Sequence, residues 1–209
     1  MDDIYSRRPS GEPASEGVAS PMSSYDPVSQ WLHWLTAVLI FVAVPLGLIA
    51  ANIHDGPFRS ALLDDWHKPI GVTVIVLSLF RLGWRARMPA PPGAAELRAW
   101  ERAAARAGHV FLYLMLFLMP LSGVMMSQGG GRPISYFGLF DLPQLLPLDP
   151  SLGPRQQYYY KVGKWLHEEV FSWALYLAFA FHMAGVIKHR FIDGDRRFLW
   201  RMWNRRRRG

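Results

Sequence analysis

Seven histidines and no cysteine frame the chemistry open to this chain: His33, His54, His67, His109, His167, His182 and His189. An imidazole serves as a metal ligand, as an acid–base group near neutral pH, or as an axial ligand of haem iron. Without cysteine there are no disulfides, no thiolate metal sites and no C-x-x-C-H attachment of haem. Any haem in this chain is therefore held without thioether links, which makes it b-type. Cationic residues accompany several of these histidines. Lys68 follows His67, Lys161 and Lys164 precede His167, and Lys188 precedes His189.

The elements that position these residues follow from hydropathy. The mean hydropathy is only +0.06, yet it averages very apolar blocks with a polar amino-terminal stretch and an arginine-rich end. A bilayer crossing takes about 20 mostly apolar residues, and four stretches qualify, at about 31–51, 66–84, 109–127 and 165–187. Pro45 and Pro120 fall inside spans, where membrane helices tolerate proline because neighbours satisfy the freed carbonyls. Trp31, Trp34, Trp66, Trp84 and Trp165 fall at span ends, as interfacial indoles do. A soluble bundle would need a polar face on each helix, and 72–80 and 111–121 have almost none. The expected fold is an all-α integral membrane four-helix bundle with both termini cytoplasmic.

Charge placement supplies that orientation. With both ends inside, Arg7, Arg8, Arg81, Arg85, Arg87, Arg98, Arg102, Arg106, Lys188, Arg190, Arg196, Arg197, Arg201 and Arg205 to Arg208 face the cytoplasm. The outer side keeps Arg59, Lys68, Arg132, Arg155, Lys161 and Lys164. This bias supports an inside amino terminus and an inside carboxyl terminus. Residues 1–24, rich in Ser, Pro, Gly and Glu, read as a disordered tail. Residues 25–204 form the transmembrane domain, and 205–209 a basic tail suited to anionic lipid rather than nucleic acid. The first apolar run is too long for a signal peptide. The loop 128–164 is expected to cap the outer face, with Gly129-Gly130-Gly131 as a turn rather than a phosphate loop.

Depth sorts the histidines, because an ionisable group within a span is a functional hypothesis by default. His67 and His167 lie near the outer end of their spans and His33 near the inner end. His182 lies 15 residues beyond His167, roughly 22 Å at helical rise. Two bis-histidine sites stacked across the bilayer follow: His67 with His167 outside, and His33 with His182 inside. Gly71, Gly163, Ala178 and Gly185 flank these ligands as a porphyrin requires, although small residues also serve tight helix packing. His109 starts the third span near the depth of His33. It competes for the inner ligand position, for a place beside a quinone, or for a plain hydrogen bond. His54 reads as exposed and His189 as interfacial. Zinc would want about four clustered ligands, which opposite membrane faces do not provide.

The sequence resembles the bacterial cytochrome b561 family of dihaem membrane proteins from about Tyr25 to Asn204. The resemblance is carried by Trp31-Leu32-His33-Trp34-Leu35, by Trp66-His67-Lys68 with Gly71, by Gly108-His109, and by Leu166-His167-Glu168 with Phe181-His182. It implies the same pairing that depth suggests. The two fourth-span histidines are one residue further apart here than is typical of the family, and a bulge would absorb the difference.

The resemblance also implies electron transfer with a quinone pool, including a branch that oxidises superoxide at the outer face. Lys68, Lys161 and Lys164 would then draw in a small anionic donor or neutralise haem propionates. Arg81, Lys188, His189 and His109 would contact quinone or propionates on the inner side. The expected protein carries two non-covalent b haems and links an outer donor to quinone through the lipid bilayer. Its rivals are a haem-bearing anchor subunit that takes electrons from a partner dehydrogenase or hydrogenase, and a haem-free transporter or sensor. No residue is singled out as catalytic.

Overall fold

The computed structural model describes residues 24–88, 98–194 and 199–203. The tail assigned to 1–24, apart from Ser24, the basic end 205–209, and Arg7, Arg8, Arg196 and Arg197 of the charge argument lie outside the described residues. Four long helices carry the chain: α1 Pro27–Asn52, α2 Pro57–Arg87, α3 Ala99–Gly129 and α4 Tyr158–Ile192, each long and apolar enough to cross a membrane. A short α5 follows at Trp200–Trp203. Among the described residues there is no strand, only an isolated bridge between Ser135 and Asp141.

All four helices run past the stretches expected from hydropathy alone. The extra turns are polar at their ends, and hydropathy cannot see a helix that continues into water. Asp26 starts α1, accepting from Ser29 N at 3.0 Å and Ser29 Oγ at 2.6 Å, with Pro27 at the first helical position, where its missing N–H costs nothing. Trp84 Nε1 on α2 donates to the same carboxylate at 2.9 Å, so this cap also ties the start of α1 to the end of α2. Trp34 Nε1 donates to the Met202 carbonyl at 3.0 Å, joining α5 to α1.

The helices pack in sequence, α1 on α2, α2 on α3 and α3 on α4, while α4 does not pack closely back on α1. Phe41 and Phe179 meet edge to face across that side, with centroids 5.5 Å apart. A small apolar core of Ile70, Val74 and Leu116, joined by Leu39, Ile40, Ala43, Leu46 and Tyr113, holds the first three helices together. Large side chains such as Trp31, Phe41, Phe80 and Phe181 point outward. That is the expected arrangement where lipid tails are as apolar as leucine.

Two helices change winding at one end of the bundle. Ala61–His67 on α2 and Trp165–Phe171 on α4 are π-helical. Such a turn accommodates an additional residue without breaking the helix, and it occurs disproportionately at functional sites. The π-helical turn of α4 contains His167 and lies at the start of the stretch that leads to His182.

The loop between α3 and α4 is stapled rather than loose. Gln128, only 2 % exposed, donates to the Pro143 carbonyl at 2.8 Å and accepts from Leu145 N at 3.1 Å. Gln144 returns a bond to the Gln128 carbonyl at 2.8 Å.

Candidate functional site

The π-helical turns place His67 and His167 opposite each other. Their ring centroids are 6.0 Å apart and their planes nearly perpendicular, at 89°. Imidazoles sharing one metal ion through bonds of about 2 Å, with rings about 1.1 Å from centre to nitrogen, have centroids roughly 6 Å apart. That separation would suit an iron held between these two imidazoles.

The second nitrogen of each ring is anchored. His67 Nδ1 donates to the Ala43 carbonyl of α1 at 2.9 Å, and His167 Nδ1 donates to the Met119 carbonyl of α3 at 2.9 Å. The Ser122 hydroxyl lies 3.2 Å from the His167 nitrogen. A carbonyl only accepts, so both protons sit on Nδ1 and both Nε2 lone pairs are free to bind metal.

Glycine makes the approach to each carbonyl feasible. A Cβ on Gly47 would lie 2.9 Å from His67 Cε1 and 3.2 Å from Nδ1. On Gly123 it would lie 2.9 Å and 3.1 Å from the same atoms of His167. Both glycines stand four residues after the accepting carbonyl, so the two seats share one construction. Sequence reasoning missed Ala43, Gly47, Met119, Ser122 and Gly123. The available signal was a glycine shortly after a mid-span Pro-Leu in each helix, Pro45-Leu46-Gly47 and Pro120-Leu121-Ser122-Gly123.

Three histidines gather at the other end of the bundle. The rings of His109 and His182 are 6.0 Å apart at 84°, nearly the arrangement of the first pair. His109 Nδ1 donates to the Ala105 carbonyl at 2.6 Å. The Nδ1 of His33 lies 3.0 Å from Arg81 Nη2. A guanidinium only donates, so that contact makes Nδ1 an acceptor and leaves the His33 proton on Nε2. Arg81 also stands over the Tyr113 ring, 5.3 Å from its centroid.

The flanking small residues divide. A Cβ on Gly163 would come within 2.5 Å of Met126 N, so this glycine serves contact between α4 and α3. One on Gly71 would meet only Pro120 Cβ at 3.8 Å, and one on Gly185 nothing within 4 Å. Ala178 is buried.

The charged residues expected near the sites are largely neutralised by neighbours. Lys68 pairs with Asp64 at 2.6 Å and donates to the Pro133 carbonyl at 3.2 Å. Lys164 pairs with Glu168. Lys161 has no ion-pair partner among the described residues. It lines an open cavity of about 340 Å³ with Arg155, Tyr160, Lys164, Trp165 and Glu169, in which Arg155 is bound to Asp55 at 2.8 Å.

At the opposite end Lys188 bridges Glu101 at 2.9 Å and Asp193 at 2.8 Å, and His189 meets Asp193 at 2.8 Å. The Lys188 ammonium, bonded to Asp193, holds that carboxyl below its ordinary value. His54 is exposed.

The comparisons with known proteins bear on the family to which the chain belongs. The profile of the family described as "Prokaryotic cytochrome b561" matches residues 24–205. The chain is 33% identical over 173 residues to cytochrome b561 homolog 2 of Escherichia coli (strain K12), covering 82% of this chain and 87% of that protein. It is 26% identical over 112 residues to the probable superoxide oxidase CybB of Yersinia pestis, covering 52% of this chain and 60% of that protein. With the match running through all four helices and both histidine groups, the chain belongs to the prokaryotic cytochrome b561 family and is a bacterial membrane protein of electron transport that binds b-type haem.

Proposed function

We propose that the chain holds two b haems and passes electrons between a donor at the outer face and the quinone pool at the inner face. The observation that carries this reading is the His67–His167 pair, 6.0 Å between centroids with both Nδ1 atoms committed to carbonyls. Bound haem supplies reversible one-electron chemistry. The protein supplies the ligands, their tautomer and the surrounding low dielectric, which set the potential.

The inner haem is assigned to His182 with His33, as the family resemblance implies. In this assignment Arg81 leaves the His33 ring, so that Nδ1 can take the proton and Nε2 the metal. The Arg81 guanidinium is then free for a haem propionate. A second reading, His182 with His109, is favoured by the 6.0 Å ring separation and by the Ala105 carbonyl at His109 Nδ1. Whichever imidazole is not a ligand remains beside the site with Arg81 to hold or deliver a proton. Lys188 and His189 belong to the cytoplasmic rim in both readings.

For the outer donor we infer a small anion, with superoxide as the candidate. Support comes from Lys161, without an ion pair among the described residues, in an open cavity that Lys164, one turn before His167, also lines, and from the name of the Yersinia relative. The stoichiometry balances: two superoxide anions each give up one electron and leave as dioxygen. One quinone takes those two electrons and two protons to become quinol. The rival role, an anchor subunit for a separate dehydrogenase, predicts a stable second chain on purification.

Reduced-minus-oxidised spectra with a pyridine haemochrome assay test the assignment. Two haems per chain are expected, and one after His67→Ala. His33→Ala should retain one haem and His109→Ala two. The reverse result moves the inner ligand to His109, and a colourless wild-type protein overturns the proposal. For the donor, superoxide should reduce the haem in the presence of a ubiquinone analogue. Superoxide dismutase should abolish that reduction.

A further inference from the structure

The segment after Gly131 forms a small hairpin at the outer end of the bundle. Leu142 N donates to the Ile134 carbonyl at 2.9 Å and Tyr136 N to the Phe140 carbonyl at 2.7 Å, around the Ser135–Asp141 bridge. Leu139 N closes the turn onto the Tyr136 carbonyl at 3.0 Å. The two central residues, Phe137 and Gly138, have φ of 50° and 72°, as a type I′ turn requires. Glycine suits that conformation and phenylalanine does not. The fold accepts the strain and so presents an aromatic ring at the tip.

What surrounds this tip follows from its composition and its depth. From Pro133 to Phe140 there is no charged residue, and Phe137, Leu139 and Phe140 are 42%, 77% and 59% exposed. The hairpin is held down rather than extended into water. Lys68 Nζ binds the Pro133 carbonyl, Ile134 is 2% exposed, and the Tyr136 hydroxyl lies 3.2 Å from Thr73 Oγ1. Thr73 is seven residues beyond the interfacial Trp66 along α2, roughly 10 Å deeper at helical rise. Tyr136 stacks on Phe140, with centroids 5.3 Å apart, so the anchored ring and the exposed one form a single aromatic face.

We propose that the Pro133–Leu142 hairpin is a lipid-binding foot, its tip seated at the boundary between headgroups and acyl chains of the outer leaflet. Aromatic and leucine side chains free of charge favour that layer. The depth of the Thr73 contact selects lipid over a soluble partner protein. Asp141 marks where the chain returns to water. The inference does not depend on which histidines bind haem.

The absence of native cysteine makes the test clean. Leu139→Cys and, separately, Gly153→Cys are spin-labelled in the haem-loaded full chain. Each is reconstituted in nanodiscs of phosphatidylethanolamine and phosphatidylglycerol. Gly153 suits the comparison because an added Cβ there meets nothing within 4 Å. Power saturation should show the label at 139 reached by oxygen several-fold more than by an aqueous nickel chelate, with the order reversed at 153. Nickel access at 139 equal to that at 153 would overturn the proposal. So would a label at 139 shielded from both agents, which would mean that protein covers the tip. Phe140→Cys repeats the measurement should Leu139→Cys fail to retain haem.

Discussion

Each outer histidine is positioned by a backbone carbonyl and a missing side chain. Adding a Cβ at Gly47 or Gly123 would place carbon 2.9 Å from a ring carbon, and the ring is the part least able to move without losing its carbonyl. Gly47→Ala and Gly123→Ala should each weaken retention of the haem proposed between His67 and His167 about 10- to 100-fold, the usual cost of disturbing a ligand's supporting partners. Haem titration of the apoprotein measures this, with the inner haem's spectral component unchanged. Ser122→Ala removes only a hydroxyl whose own bond goes to the Met119 carbonyl at 2.7 Å. It should leave haem content intact. These glycines were not legible from composition, since a glycine in a membrane span more often serves helix contact, as Gly163 does here.

Among the helices, the cap of α1 has the clearest energetic signature. Burial raises the Asp26 carboxyl, but hydrogen bonds from Ser29, Trp84 and Val28 outweigh it and hold the group below its ordinary 3.8. A carboxyl depressed in the folded state contributes its full stabilisation above its unfolded pKa and loses it as pH falls through the folded value. Asp26→Ala should therefore cost about 0.5–2 kcal/mol at neutral pH. The difference from the unaltered protein should shrink below about pH 4. Thermal unfolding in detergent, followed by haem absorbance across that range, checks both parts. Existence and order of the four helices were legible because a lipid-exposed backbone must satisfy its own hydrogen bonds, which leaves only helices or closed barrels. Their true ends and the π-helical turns at His67 and His167 were not. A π turn and an α turn contain the same kinds of residue, and the difference lies in which carbonyl each N–H finds.

Four crossings would return the chain to the side on which α1 begins, and the distribution of cations is the basis for predicting which side that is. Arg81, Arg85, Arg87, Arg98, Arg102, Arg106, Lys188, Arg190 and Arg201 crowd one end of the described bundle. Arg59, Lys68, Arg132, Arg155, Lys161 and Lys164 lie at the other. The positive-inside bias predicts that a fluorescent-protein fusion at the carboxyl terminus folds and fluoresces in the cytoplasm, while an alkaline phosphatase fusion there stays inactive. The opposite pair of signals would invert the bundle and exchange the outer and inner histidine groups. The cationic mouth expected at the outer face is smaller than the lysine count suggests. Lys68 and Lys164 are each paired with a carboxylate one turn away and Arg59 and Arg155 share Asp55, leaving Lys161 and Arg132 as the cations there without an ion pair among the described residues.

Depth is a one-dimensional quantity, read by counting residues from the end of an apolar run, and the sequence carries it in full. It places His67 and His167 toward one face of the membrane, and His33, His109 and His182 toward the other. The lack of cysteine likewise settles, before any folding, that haem is held without covalent links. Rotation about each helix axis is a different quantity, decided by packing between helices and not by any one of them. The tertiary structure therefore brings the ring of His182 to face that of His109 while Arg81 holds His33. It also lays His67 and His167 on Gly47 and Gly123, and binds Lys68 and Lys164 to their neighbours. Each of these contacts joins atoms from different turns or different helices, and only the folded bundle brings those atoms together.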